Sequence, residues 1–160
     1  MNSLMAHDLG LLLIRLSGFY LALGHGLGKT IALASGQGAG FISGVEALGF
    51  PMPAVFAWAA ALAELVGGLL VGLGLGTRIF APFPLFTMFV AAFVRHRAHE
   101  HALVALGIKS VPPEVIEKWG SPELAILYLM CFAAILFLGP GRISLDYLFR
   151  RKAGLRRGFR

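Results

Sequence analysis

The sequence predicts an all-α integral membrane protein: a bundle of four transmembrane helices with short interfacial helices in its first and third loops. Of the 160 residues, 58% are apolar and only 14% are charged, and the mean hydropathy is +0.79. Soluble domains are about a quarter charged and about half apolar, so this chain lacks the polar surface that a soluble domain needs. Its length allows a single domain, residues 1–160.

Four apolar stretches are long enough for helices that cross a bilayer, which need about 20 residues each. The predicted spans cover residues 9–33, 54–75, 78–95 and 122–139. The fourth span should end at Gly139, Pro140 and Gly141, because this sequence cannot continue a helix. The first loop should lie in the interface or fold back into the bundle, and the third should contain a short helix at residues 112–119.

The basic residues are distributed unevenly, and this predicts the orientation of the chain. The net charge is +6, and seven of the fourteen basic residues lie in the tail, residues 142–160. With four spans, the face that holds both termini and Arg78 carries eight basic residues, and the opposite face carries five. The positive-inside rule therefore predicts that both termini are cytoplasmic. The basic tail is typical of contact with anionic lipid headgroups. No nucleic-acid motif accompanies it, so nucleic acid is not expected as a partner.

The apolar spans contain ionisable residues. Arg15, His25 and Lys29 lie on one helical face of the first span. Glu64 lies near the middle of the bilayer on the second span, at about 1.5 Å of rise per residue. A charge at this depth costs roughly 2.5 to 3.5 kcal/mol, so we expect Glu64 to contact Arg15 or His25. These residues form either a structural pair that sets helix register or a site that binds a polar head group or relays a proton.

Small residues follow Glu64 along the same face of the second span, with Gly68 and Gly72 at steps of four. Small side chains let transmembrane helices approach each other closely. We therefore expect this face to pack tightly against a neighbouring span, with the carboxylate of Glu64 buried in the same contact.

Three histidines occur within six residues after the third span: His96, His99 and His101. Imidazole and carboxylate groups can bind zinc, copper or iron, but the spacing matches no strong metal motif and the adjacent arginines would repel a cation. The run is interpreted in three ways: as a metal site, as a solvated polar cap, or as a pocket for a substrate or quinone head group. That pocket would also include His25, Lys29 and Glu123.

Several short motifs occur in order along nearly the whole chain. They are Arg15 followed by His-Gly at 25–26 and Lys29, G-x-P-x-P at 49–53, Glu64 with the double glycine at 67–68, G-L-x-T-R ending at Arg78, Glu123 at the fourth span, and G-P-G-x-x-S-L-D from Gly139 to Asp146. Each motif alone is weak. Together and in this order they resemble the DoxX family of small bacterial membrane proteins.

This resemblance implies a four-helix bundle in the bacterial cytoplasmic (inner) membrane with both termini in the cytoplasm. It also implies a redox setting, because the family is associated with quinone-linked oxidoreductases and with membrane complexes for thiol and oxidative stress. The quinone-linked assemblies include thiosulfate:quinone oxidoreductases and terminal quinol oxidases. The residues that match the family's motifs are Arg15, His25, Lys29, Glu64 and Arg78. The three-histidine run has no counterpart in those motifs.

The resemblance implies a small subunit or accessory factor of a quinone-linked or stress-related redox complex. Cys131 is the single cysteine, so dithiol chemistry within the chain is excluded. The expected partners are the lipid bilayer, other membrane or redox subunits and a second copy of the chain. Quinone is the cofactor that this hypothesis favours, with a metal as the weaker candidate. Two alternatives stay open: a non-catalytic membrane anchor or assembly protein, and a pathway for small solutes or protons.

Overall fold

The computed structural model describes residues 3–154, and this part of the chain contains helices and no strands. The eight helices are α1 (Ser3–Ala34), α2 (Ala39–Ala47), α3 (Pro53–Leu73), α4 (Thr77–Arg95), α5 (Ala98–Ala105), α6 (Pro113–Trp119), α7 (Glu123–Leu138) and α8 (Leu145–Lys152). The all-α prediction is confirmed. Much of the predicted basic tail forms α8, and residues 155–160 lie outside the described residues.

Three helices, α1, α3 and α4, are long and apolar enough to cross a membrane. The predicted fourth span, α7, has 16 residues, which rise about 24 Å against a hydrocarbon core of about 30 Å. It is long enough only together with α6, to which it is bent by 42°. The described residues therefore contain three such helices, or four when the bent pair counts as one span.

Helices α1 and α3 pack with their main chains in contact. A Cβ atom on Gly18 would lie 2.5 Å from the carbonyl oxygen of Gly68, and one on Gly68 would lie 2.7 Å from the oxygen of Gly18. Gly72 meets a side chain instead, because a Cβ there would be 2.9 Å from the ring of Phe19. The apolar core beside this contact joins α1, α3, α4 and α7, with Leu21, Val71, Met88 and Phe132 among its buried residues.

The segment from residue 139 to residue 146, which we call the C-terminal clasp, binds the turn between α3 and α4. The Asp146 carboxylate accepts hydrogen bonds from the main-chain nitrogen of Gly76 at 2.7 Å and from the nitrogen and hydroxyl of Thr77 at 3.0 Å each. The main-chain nitrogen of Asp146 in turn donates to the oxygen of Gly74 at 2.8 Å. The clasp thus satisfies N–H groups at the start of α4 that no helical carbonyl can reach.

The clasp also explains why α1 begins at Ser3, before the predicted start at residue 9. Asp8 is buried and accepts hydrogen bonds from the main-chain nitrogen and Nε of Arg142, at 2.9 and 2.6 Å. Arg15, which is 1% exposed, donates from Nη2 to the carbonyl oxygen of Ile143. Because Arg142 supplies hydrogen bonds to the Asp8 carboxylate, the first turns of α1 can be helical with this acid buried.

The clasp begins where α7 ends. Gly139 and Gly141 have positive φ angles of 83° and 72°, and Gly139 and Pro140 are buried. Arg78 lies against this turn and donates from Nη2 to the carbonyl oxygen of Phe137 at 3.4 Å. A cation at a helix C-terminus interacts favourably with its unpaired carbonyl groups. Arg78 therefore links the start of α4 to the end of α7.

Candidate functional site

Three of the long helices contain a π-helical segment: Ala22–Gly26 in α1, Ala63–Gly67 in α3 and Val90–Arg95 in α4. Such segments insert an extra residue into a helical turn and are frequent at functional sites. The first two segments touch, because a Cβ on Gly26 would lie 2.5 Å from the main-chain nitrogen of Leu65. This contact brings Lys29 of α1 close to Glu64 of α3.

Lys29 and Glu64 form an ion pair at this level. Lys29 Nζ lies 2.6 Å from Oε1 and 2.7 Å from Oε2 of Glu64, so the ammonium contacts both carboxylate oxygens. The Glu64 side chain is 3% exposed and that of Lys29 is 31% exposed. The carboxylate is therefore buried in the bundle, while the ammonium lies at the edge of the buried region.

The prediction that Glu64 contacts Arg15 or His25 is therefore wrong. Gly26 is level with Glu64, since a Cβ there would be 2.9 Å from its carbonyl carbon. Helical side chains lean toward the helix N-terminus, so the long chain of Lys29 leans back one turn onto the carboxylate. Arg15 lies about 16 Å away along the axis. The His25 ring faces Tyr128 on α7, with ring centroids 6.2 Å apart.

Beside the ion pair lies a crevice of about 480 Å³ between α2, α3 and α4, which we call the lateral crevice. Most of its wall is aromatic or aliphatic, with Phe41 from α2, Phe56 from α3 and Phe86 from α4 among the lining residues. Its polar residues are Lys29, Glu64, Thr87, Arg95 and His96. The crevice thus combines an apolar body with a few polar groups, as small-molecule sites commonly do.

The lateral crevice opens sideways between two of the long helices. Ala59 on α3 and Phe83 and Phe86 on α4 line it and are exposed. The opening of the crevice therefore lies on the outer surface of the helix bundle, between α3 and α4. Phe41 closes the crevice over Lys29, with Nζ 5.1 Å from the ring centroid. The first loop therefore folds back onto the bundle, one of the two arrangements expected from the sequence.

The three histidines do not converge. His96 Nδ1 donates to the carbonyl oxygen of Trp119 at 2.6 Å, and His101 Nε2 donates to that of Gly120 at 3.1 Å. His99 is exposed, and Glu100 is engaged with Lys109. The hydrogen bond from Lys109 lowers the pKa of the Glu100 carboxyl. Among residues 3–154, no group of three or more histidine, cysteine or acidic side chains is arranged to hold a metal ion.

The structure thus does not bring the predicted site residues together in one place. Lys29, Glu64 and His96 line the lateral crevice, together with Arg95, which was not singled out from the sequence. His25, His99, His101 and Glu123 are not among its lining residues. Arg15 belongs to the opposite end of the bundle, under the clasp. Arg95 could have been suspected as a cation at the end of the third apolar stretch, but Phe41 carries no such signal.

These features define a small helical membrane protein with a buried ion pair beside an apolar crevice. The sequence model of the DoxX family matches residues 10–97, just over half of the chain, and the chain belongs to the DoxX family. No curated protein and no solved structure matches the chain. The matched range contains every residue that lines the lateral crevice, whereas α7 and the clasp lie outside it.

Proposed function

We propose that this DoxX protein is a small subunit or accessory factor of a quinone-linked or stress-related redox complex in the bacterial cytoplasmic membrane. In this proposal the lateral crevice binds the head group of a lipid quinone. The observation that carries it is the Lys29–Glu64 ion pair in the wall of an apolar crevice that opens toward hydrocarbon. A quinone diffuses within the bilayer and would enter by this opening.

The chemistry of the lining supports a quinone more than a polar solute. The aromatic rings suit a flat, apolar ring, and the ammonium of Lys29 and the guanidinium of Arg95 can donate to its carbonyl oxygens. Glu64 holds the Lys29 ammonium in place at the wall of the crevice, because both carboxylate oxygens contact Nζ. When bound, the quinone would supply the electron-accepting chemistry. Since the chain has one cysteine, electrons would pass to or from a partner subunit.

Quinone extraction from the purified protein tests this function. After purification in mild detergent, the wild type should retain about one equivalent of quinone, and Ala60→Phe should lose most of it because the new ring fills the crevice. Leu62→Phe is the matched control, since Leu62 lies on the same helix, is exposed and does not line the crevice. Wild-type protein that contains no quinone and takes none up from solution would reject the proposal.

We further propose that the chain is one domain with four spans, with the α6–α7 pair as the fourth, and with both termini cytoplasmic. Helices α2 and α5 would then lie at the external interface. Reporter fusions after Arg160 should read as cytoplasmic, and fusions near Gly38 or Lys109 should read as external. A C-terminal reporter that reads as external would contradict this topology.

A second candidate function is a non-catalytic anchor or assembly protein. It is favoured by α8, whose last turn carries Arg151 and Lys152 and whose apolar residues Leu148 and Phe149 are exposed. Such a helix suits a membrane surface or a partner subunit. A stoichiometric partner protein that co-purifies without any quinone would favour this candidate over the first.

A further inference from the structure

The hydrogen bond that His96 makes determines which of its ring nitrogens carries the proton. A main-chain carbonyl oxygen can only accept, so the contact of 2.6 Å between Nδ1 and the oxygen of Trp119 requires a proton on Nδ1. In the neutral ring, Nε2 is then an acceptor. No residue among 3–154 makes a hydrogen bond to this nitrogen.

The position of the His96 ring is held from several sides. His101 binds the carbonyl oxygen of Gly120 at 3.1 Å, and the Arg97 guanidinium lies 5.6 Å from the centroid of the Trp119 ring. A Cβ on Gly120 would be 3.3 Å from Nδ1 of His96, so the main chain packs directly on the ring. The hydrogen bond to Trp119 and the packing of Gly120 on the ring orient the imidazole before any ligand arrives. His96 is also a lining residue of the lateral crevice, beside Arg95.

The polar groups of the crevice differ in what they offer to a ligand. Lys29 and Arg95 can only donate hydrogen bonds, and they suit a carbonyl or hydroxyl oxygen equally well. Nε2 of a neutral His96 can only accept, so it suits a hydroxyl group and gains nothing from a carbonyl. A carbonyl placed there would leave two acceptors facing each other without a hydrogen between them.

We propose that His96 makes the lateral crevice selective for the reduced form of its ligand, by accepting a hydrogen bond from a hydroquinone hydroxyl. This inference rests on the proposed quinone site and adds to it a residue that determines specificity. The oxidised quinone still binds through the donors Lys29 and Arg95, but it makes no bond to Nε2. His96 acts in recognition alone, and no proton or electron transfer step is assigned to it.

The test measures the affinity of the full-length protein, in phosphatidylcholine nanodiscs, for a short-chain benzoquinone and for its hydroquinone, by anaerobic titration calorimetry. His96→Phe should weaken hydroquinone binding about five- to tenfold, the value of one hydrogen bond, and should change quinone binding less than twofold. His96→Gln should restore much of the hydroquinone affinity, because its amide can donate to Trp119 and still present an acceptor.

His101→Phe is the control for damage to the loop. His101 holds the neighbouring carbonyl oxygen, at Gly120, but does not line the crevice, so this change should leave the ratio of the two affinities unaltered. Equal losses for quinone and hydroquinone in His96→Phe would overturn the selectivity while leaving the quinone site intact. Failure of the wild type to bind either form would overturn both the selectivity and the proposed function.

Discussion

Lys29→Met should destabilise the protein by about 3 kcal/mol, at the lower end of the usual penalty for breaking a buried ion pair. The change leaves the Glu64 carboxyl, which is 3% exposed, without the ammonium that contacts both of its oxygens. Glu64→Gln should be milder, because its amide oxygen still accepts from Lys29 and the partly exposed lysine can extend toward the interface. Unfolding in detergent by a graded denaturant measures both changes.

Two further variants test whether the loss of stability in Lys29→Met comes from breaking the buried ion pair. Lys109→Met breaks the pair with Glu100, which has a similar distance of 2.6 Å but lies at the surface, and it should change stability little. The double variant Lys29→Met with Glu64→Met should recover most of the lost stability, since joint removal of a buried pair is often neutral. If Lys29→Met alone unfolds like the wild type, the ion pair does not stabilise the fold.

The same double variant separates structure from function. A pair that only holds the helices in register can be replaced by two methionines without loss of quinone. A pair that binds the head group cannot, so the double variant should fold and yet retain little quinone after purification. Full quinone content in a stable double variant would show that Lys29 and Glu64 are not needed to bind the quinone.

Gly26→Ala should be the most damaging conservative change in α1. The added Cβ would lie 2.5 Å from the main-chain nitrogen and 2.7 Å from the Cα of Leu65, and main-chain atoms of a packed helix cannot move aside as a flexible side chain can. Overpacking of this kind costs about 1 to 3 kcal/mol or more. We expect a clear fall in the thermal midpoint in detergent, together with loss of quinone, because α3 carries Glu64 at this level.

Gly28→Ala is the matched control, two residues further along the same helix. A Cβ at Gly28 meets nothing within 4 Å, so alanine should raise helix stability by about 0.5 to 1 kcal/mol. Opposite signs for the two alanine variants would verify the contact between the π-helical segments of α1 and α3. Equal effects would mean that these helices do not touch at Gly26.

The four apolar helices could be predicted from the sequence because each depends on local information. Runs of apolar residues indicate where a helix can cross a bilayer, and Gly139 with Pro140 indicates where one must end. The start of α1 was placed too late, because the partner that buries Asp8 is Arg142, at the other end of the chain. From the sequence alone, a polar residue such as Asp8 indicates the end of an apolar span, because the distant residue that pairs with it is not known.

The site was predicted less completely, for reasons of geometry. Glu64 stands out as an acid in an apolar stretch, but its partner depends on the π-helical segments and on the backward lean of Lys29. Counting residues along straight helices predicts neither the π-helical segments nor the direction of the Lys29 side chain. The lateral crevice depends on how α2 folds back over α3, and Phe41 becomes a lining residue only through that contact. The histidine run suggested one cluster, whereas its members bind separate carbonyl groups.

The C-terminal clasp has a consequence for the order of assembly in the cell. Residues 139–146 leave the ribosome after the hairpin of α3 and α4 has been made, yet Asp146 supplies the acceptor for Gly76 and Thr77. Until then those N–H groups lack the acceptor that they have in the folded chain. The hairpin of α3 and α4 therefore lacks its link to the C-terminal clasp during insertion. The spans of a nascent chain stalled before residue 139 should still be able to move between the translocon and the lipid.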